Sequence, residues 1–516
     1  MGGMRPTPSQ PGLFVAPEPT VTPGPAFEHK PTDEQQAIIE TYLDGQPLVV
    51  EALAGTGKTT TLRMLAATTP ARKGVYVAYN KSIVEEARGR FPEPVHIATA
   101  HSLAYQAVGR RYAHRLPGRG STGSRRMRAQ EIAELLDIRS AAIGERRLTP
   151  AQVTRLAEAT VTRFCQSADH EIGPQHLPAR AEHLGDRQEL AAAIVPAARK
   201  IWRDLANPNG RLYFTHDHYL KIWQLGNPRI EADYILFDEA QDANPAIAAV
   251  IRQQTHAQLV YVGDRNQQLY SWRGAIDAMD DIDGKRLALT RSFRFGPAVA
   301  ELANRWLDLL GAPHRVVGYG AIDSKVGPLT DKPDAILCRT NGTALGHILA
   351  YQAQGVRVAL APGDPKAGMD IKSFAWAARD LMNGRGTSHP ELVSFTSWSD
   401  LLQYVDEEES GQDLKRLVNI VHRIGPQAVI NAVDKLTTRD RAEVTVSTGH
   451  KAKGLEWARV RIADDFGLDI DEKPERADLM LAYVAVTRGR RELDPGPLDP
   501  GLWETAMESD PRRLLP

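Results

Sequence analysis

Residues Glu51 to Leu62, "EALAGTGKTTTL", restrict the fold more than any other stretch. With the apolar "PLVV" before them they read as a strand, a turn of small residues and a helix. Gly55 and Gly57 allow backbone angles closed to other residues, so successive N–H groups can point into one turn. The following helix starts with the positive end of its dipole at the same place. That geometry suits a triphosphate: Lys58 would bring a point charge to the β/γ-phosphates and Thr59 a hydroxyl to Mg²⁺. The stretch departs from the usual phosphate-loop spacing at one position, where Ala52 stands for the first glycine. The expected cradle for a nucleoside triphosphate is Ala54, Gly55, Thr56, Gly57, Lys58, Thr59 and Thr60; the plainer alternative is an ordinary glycine-rich turn.

Further along, "YILFDEAQD" puts Asp238 and Glu239 at the end of an apolar strand, expected beside the phosphate-loop strand. A carboxylate there can hold Mg²⁺ through water, and the next can take a proton from an attacking water. Thr59 and Asp238 are the metal-side candidates. Bulk properties add exclusions. The formal net charge of −1 gives no global basic field, although a local groove can still be basic. Two scattered cysteines, Cys165 and Cys338, make neither a disulfide framework nor a zinc site, and point to a reducing, cytoplasmic compartment. No apolar run is long enough to span a membrane. His216 and His218 form an H-x-H without a second ligand pair, which reads as structural.

The chain predicts an α/β protein with two phosphate-loop-type cores, parallel sheets flanked by helices, each core interrupted by a mainly helical insertion. Thr32 and Gln35 fit a helix capping box near the start of order. The expected divisions are a disordered proline-rich arm (1–30), the first core (31–105 and 211–293) around an insertion (106–210), the second core (294–365 and 441–495) around a smaller insertion (366–440), and a tail (496–516).

Six motifs in order, "AGTGKT", "DEAQD", "VGDRNQQLYSWRGA", "TRSFRF", "TGHKAKGLEW" and "LAYVAVTRG", resemble those of superfamily 1 DNA helicases of the UvrD/Rep type. "YVAYNKSIVEEARGRFP", "ATAHSLAYQAVG" and "THDHYLKIWQL" resemble the F-box DNA helicase branch, although no F-box is apparent. The resemblance spans roughly Pro31 to Arg491 and implies RecA-like cores, ATP with Mg²⁺, and single-stranded DNA or a duplex junction with a 3′ tail as partner. It implies that Gln35 reads the adenine, that Phe293 stacks on the base and that Glu456 lies near ribose and phosphates. Gln267 would sense the γ-phosphate, while Arg294 and Arg488 would act as arginine fingers beside Lys58 and the base Glu239.

On the DNA side the resemblance implies Trp272 as a stacking platform, with Tyr270 and Arg273 beside it; a core tryptophan is the alternative. Tyr79, Asn80, Lys81, His101 and Ser102 would follow the strand on the first core, and Thr448 and His450 on the second. Two departures stand out. The second insertion is short against larger relatives, which puts strand separation by a lone monomer in question. "RRELDPGPLDPG" carries prolines where relatives continue with an apolar strand, so a rearranged end of the second core is expected. The function expected is ATP-driven 3′–5′ translocation and unwinding in a bacterial or phage-infected cell. Its rivals are a translocase that strips proteins from DNA, and an ATPase that remodels proteins without nucleic acid.

Overall fold

The computed structural model describes residues 29–78, 81–116, 127–144, 146–269, 278–280, 282–362, 368–387, 389, 391–392, 395, 397–407, 412–467 and 474–499. Thr32 caps α1 (Asp33–Leu43): its hydroxyl accepts from the Gln35 N–H, and the Gln35 side chain accepts from the Thr32 N–H. Strands and helices then alternate through β1 (Leu48–Ala52), α2 (Lys58–Thr68), β2 (Gly74–Ala78), α3 (Lys81–Ala87), β3 (Val95–Thr99) and α4 (Ala100–Ala107). Next come α5 (Ala129–Leu135), an antiparallel hairpin of β4 (Ala141–Ile143) and β5 (Arg146–Leu148), α6 (Pro150–Gln166) and α7 (Arg187–Ala206). The hairpin's three-residue strands are too short to show a two-residue period in the sequence. The chain returns through α8 (His216–Leu225), β6 (Tyr234–Asp238), α9 (Pro245–Arg252), β7 (Gln258–Gly263) and β8 (Lys285–Leu289).

The first sheet runs β3-β2-β6-β7-β1-β8, all parallel. Alternate residues serve opposite faces. Val49, Val75 and Val77 pack toward α4, α6, α7 and α8, whereas Leu48, Val50 and Tyr76 pack with α1 and α2. Each such aliphatic side chain removed from water contributes about 1.5–3 kcal/mol. The expected neighbourhood of β1 is corrected here: the Asp238 strand β6 is not beside β1, because β7 lies between them. "QLVYVG" is fully buried, so its hydrogen-bonding edges fit the middle of the sheet.

The second half contains α10 (Pro297–Leu309), β9 (Lys325–Val326), β10 (Ala335–Cys338), α11 (Asn341–Ala353) and β11 (Val358–Leu360). Four helices follow, α12 (Met369–Met382), α13 (Trp398–Glu407), α14 (Gln412–Ile424) and α15 (Pro426–Asp434). The chain re-enters the sheet through β12 (Val444–Thr448) and β13 (Trp457–Ile462), and closes with α16 (Arg476–Val486) and β14 (Gly489–Asp494). The second sheet is β11-β12-β10-β13-β14-β9, also all parallel.

The expected rearrangement after the last motif is also corrected. "GRRELD" is a strand, β14, flanked by β13 and β9. The first proline, Pro495, falls just past its last residue, so no ladder N–H is lost, and Leu493 is fully buried. The charged β8 and the two-residue β9 escaped the sequence reading for want of an apolar run.

The two halves meet in one apolar cluster. Leu53, Ala54 and Leu269 of the first half pack with Met480, Tyr483 and Val484 of α16.

Candidate nucleotide site between the two sheets

The turn after β1 has the backbone its glycines promise: φ is +74° at Gly55 and +81° at Gly57. A Cβ on Gly55 would lie 2.5 Å from the Arg294 Cβ and from the Ser292 hydroxyl, so this turn is pressed against the segment after β8. Phe293 N donates to the Gly55 carbonyl at 2.8 Å, tying that segment to the loop.

Lys58 Nζ lies 3.2 Å from Glu239 Oε1. Glu239 is a non-glycine residue at φ +53°, a strained conformation of the kind that collects at functional sites. Thr59 Oγ1 donates to Asp238 Oδ2 at 3.2 Å, and Tyr76 OH donates to the same oxygen at 2.6 Å. These are hard oxygen donors of the kind Mg²⁺ takes. Burial, then the neighbouring Glu239 charge, pushes Asp238 up to about 6, so a cation at this oxygen pair meets an electrostatic demand. The residues present therefore fit Mg²⁺. Burial also pushes Glu239 up, but Lys58 and Lys453 outweigh it and hold the carboxyl down at about 2.

The second core supplies the opposite wall. Arg488, 1 % exposed, donates through Nη2 to Gln267 Oε1 at 3.2 Å and to Thr487 Oγ1 at 2.9 Å, and through Nε to the Val484 carbonyl at 2.8 Å. Burial, reinforced by the Arg294 charge, lowers its pKa well below the usual guanidinium value. Arg294 is not aimed into the cleft alone: its Nε pairs with Glu456 Oε2 at 2.9 Å, and Arg490 pairs with the other oxygen at 3.4 Å. Gln35 Nε2 donates to Thr61 Oγ1 at 3.1 Å while its Oε1 accepts from the Thr32 N–H, so both ends of the amide are engaged. A Cβ on Gly57 would lie 3.7 Å from both Gln35 Nε2 and Phe293 Cδ2. The phosphate loop, the glutamine and the half-exposed phenylalanine thus border one space.

Some residues of this site escaped the sequence reading. Lys453 of the second core pairs with Asp242, donates to the Gln267 carbonyl at 2.6 Å and stands 3.7 Å from Glu239 Oε2. It lies inside "TGHKAKGLEW", where three lysine or histidine side chains share a short stretch and nothing local says which one faces the cleft. Gln241 donates to Glu239 Oε2 at 2.6 Å and accepts from the Asp264 N–H at 3.1 Å.

On the expected DNA face, His101 pairs with Asp217 at 3.0 Å and meets Tyr219 edge-on. Ser102 closes the α4 capping box with Thr99. Thr448 is buried at the end of β12 and His450 is half-buried, with burial lowering its pKa. His218 accepts from the Thr215 N–H and His216 meets the Tyr219 hydroxyl, both at 3.0 Å, so the H-x-H serves the start of α8. Tyr79, Asn80, Tyr270, Trp272, Arg273 and the side chain of Lys81 lie outside the described residues.

Residues 31–281 match the UvrD/REP helicase N-terminal domain family. The chain carries a UvrD/REP helicase domain. Over an alignment of 513 residues that takes in this segment, the chain is 30% identical to "F-box DNA helicase protein 1" of Schizosaccharomyces pombe, covering 90% of this chain and 57% of that protein. "F-box DNA helicase 1" of Gallus gallus is 30% identical over 506 residues, 90% of this chain and 49% of that one. A "Probable DNA helicase" of Mycoplasma pneumoniae is 34% identical over 114 residues, 20% of this chain and 22% of the other. The chain spans about half the length of the two F-box relatives. Among the described residues no helix is long and apolar enough to cross a membrane.

Proposed function

We propose that the chain hydrolyses ATP between its two cores and uses the cycle to move 3′ to 5′ along single-stranded DNA, separating duplex ahead of it. The observation that carries this reading is the contact of Arg488 with Gln267 across the cleft. A site whose parts lie on two bodies is complete only when they close. The γ-phosphate of ATP, held by Lys58 and the loop N–H groups, would supply an anion to Arg488 and compete with Glu456 for Arg294. ATP then binds the closed form better than the open one, and hydrolysis removes that difference.

Mg²⁺, held by Thr59 and Asp238, would neutralise phosphate charge when bound. Glu239 is the proposed base. Lys58 and Lys453 now hold it ionised; once phosphate oxygens draw those two ammonium groups away, its carboxylate becomes a stronger base, beside the atom it must serve. Gln35 and Phe293 are proposed to receive the adenine, and Glu456 to orient Arg294.

The relatives' names carry the DNA reading, with "LYSWRGA" supplying the proposed stacking residues Tyr270, Trp272 and Arg273. Tyr79, Asn80, Lys81, His101, Thr448 and His450 are proposed to follow the strand. A second reading, a translocase that displaces DNA-bound proteins and unwinds little, is favoured by the small α12–α15 insertion.

The deciding experiment compares ATP turnover with and without single-stranded DNA, then unwinding of duplexes tailed at the 3′ or the 5′ end. Stimulation with 3′-tail preference supports the proposal. Stimulation without unwinding selects the second reading. Turnover indifferent to DNA rejects both.

A further inference from the structure

Tyr483 is fully buried on α16, and neither the phosphate chemistry nor the DNA contacts use it. Its hydroxyl nevertheless bridges the two cores. The oxygen accepts from the Ala54 N–H of the phosphate loop at 3.2 Å, and the proton is donated to Asp264 Oδ2 at 3.4 Å. Both partners belong to the first core, whereas the tyrosine belongs to the second. The same Asp264 oxygen receives Gln267 Nε2 at 2.6 Å, and the other end of that amide, Oε1, receives Arg488. Tyr483, Asp264, Gln267 and Arg488 are therefore linked in sequence, and the backbone between Tyr483 and Arg488 closes them into a ring. Two corners lie on α16 and its C-terminal end, and two lie on the turn after β7. Asp264 is also joined through its N–H to Gln241 and so to Glu239.

We infer that the Tyr483 hydroxyl is a positioning group that sets the register of α16 against the phosphate loop, so that Arg488 arrives at the phosphates only when the tyrosine is seated. A phenol has a single proton and Asp264 is acceptor-only when ionised, so the bond to Oδ2 fixes the direction of the O–H. That leaves an oxygen lone pair for Ala54. A buried loop N–H without this acceptor would be unsatisfied, because the site is closed to water. Sliding α16 by even part of a turn would break both bonds together. The hydroxyl thus discriminates the seated register from its neighbours, which the apolar contacts around it, being non-directional, do not. It does so without touching substrate.

The inference rests on the reading of the cleft as an ATPase site, and the test separates the two. DNA-stimulated steady-state ATP turnover is measured on the full chain for wild type, Y483F, Q267A and the double variant, with melting curves alongside. Y483F keeps the aromatic side chain and its packing and removes only the hydroxyl, which opens the hydrogen-bonded ring. It is expected to lower kcat about tenfold, to leave KM for ATP within twofold, and to stay folded with a melting midpoint lowered by only a few degrees, because the Ala54 N–H loses its acceptor. In the Q267A background, where the ring is already broken, Y483F is expected to add less than a twofold loss. D264A, which removes the shared acceptor and leaves the tyrosine in place, is expected to reproduce the kcat loss and serves if Y483F does not fold. Wild-type kcat in Y483F overturns the inference. So does an equal, multiplicative loss in both backgrounds, since a packing role predicts that. Absence of DNA-stimulated turnover in the wild type overturns the proposed function instead.

Discussion

Lys453 Nζ stands 3.7 Å from Glu239 Oε2, a cation from the second core on a carboxylate from the first. The same carboxylate already faces Lys58 at 3.2 Å. One acidic side chain thus collects an ammonium from each side of the cleft, as a pivot between two bodies would. The consequences are open to measurement.

Replacing Glu239 by Gln removes the proposed base and little volume. Hydrolysis should fall by about 10²–10⁴ while ATP is still bound. Equilibrium binding of a labelled ATP analogue, beside single-turnover hydrolysis, checks it. Loss of binding in parallel with turnover would mean that Glu239 serves the fold or the lysines rather than the water.

Arg488→Ala should lose about 10³ or more in DNA-stimulated turnover, the range found when an arginine finger is removed. Arg488→Lys should recover only part of it, since an ammonium carries the charge but not the fork. Turnover near wild type in the alanine variant would take Arg488 out of the site. Melting curves are needed as well, because its bonds to the Val484 and Leu455 carbonyls also hold the end of α16.

Phe293→Ala should raise KM for ATP about tenfold, with the smaller effect on kcat, in line with about 1–3 kcal/mol for stacking a base on an aromatic ring. Inhibition by inorganic tripolyphosphate, which has no base, should not change. If tripolyphosphate weakens equally, the phenylalanine ring is supporting the phosphate loop by packing beside Gly57 rather than holding the base.

Lys221 tests the first core's insertion rather than the cleft. It is fully buried, bonds the Ser167 and Asp169 carbonyls at 2.9 and 2.5 Å, and lies 4.1 Å from the centre of the Phe164 ring. Burial pulls its pKa down to about 8 from 10.5. Between those values the unfolded chain binds more protons than the folded one, so this residue makes stability rise with pH across the window. Below pH 8 both states are charged and the penalty is constant. The gain should be about 2 kcal/mol after allowing for screening. Urea midpoints at pH 7.5 and 10.5 for wild type and Lys221→Met measure it. The wild-type rise should exceed the variant's, and identical slopes would refute the assignment.

Much of the candidate site was legible before any coordinates. The turn around Gly55 and Gly57 could be read because positive φ at fixed offsets is a local property that only glycine supplies cheaply. The Thr32–Gln35 box was legible for the same reason, since its bonds join residues three apart. Asp238 and Glu239 stood out as charges ending an apolar run. Lys453 and Tyr483 did not: a lysine among basic neighbours and a tyrosine on a helix buried all round carry no local mark of the partner they meet.

Local chemistry, then, was enough to determine two parallel α/β cores, the phosphate turn and the acidic strand end, because backbone angles, alternation and capping are decided within a few residues. Only the tertiary structure decided that β7 separates β1 from β6, that "GRRELD" completes the second sheet, and that Ala54 and Tyr483, 429 positions apart, share a hydrogen bond. Strand order and contacts across the cleft depend on how whole surfaces pack. No period, spacing or charge run in one segment encodes which distant segment will satisfy its last free donor.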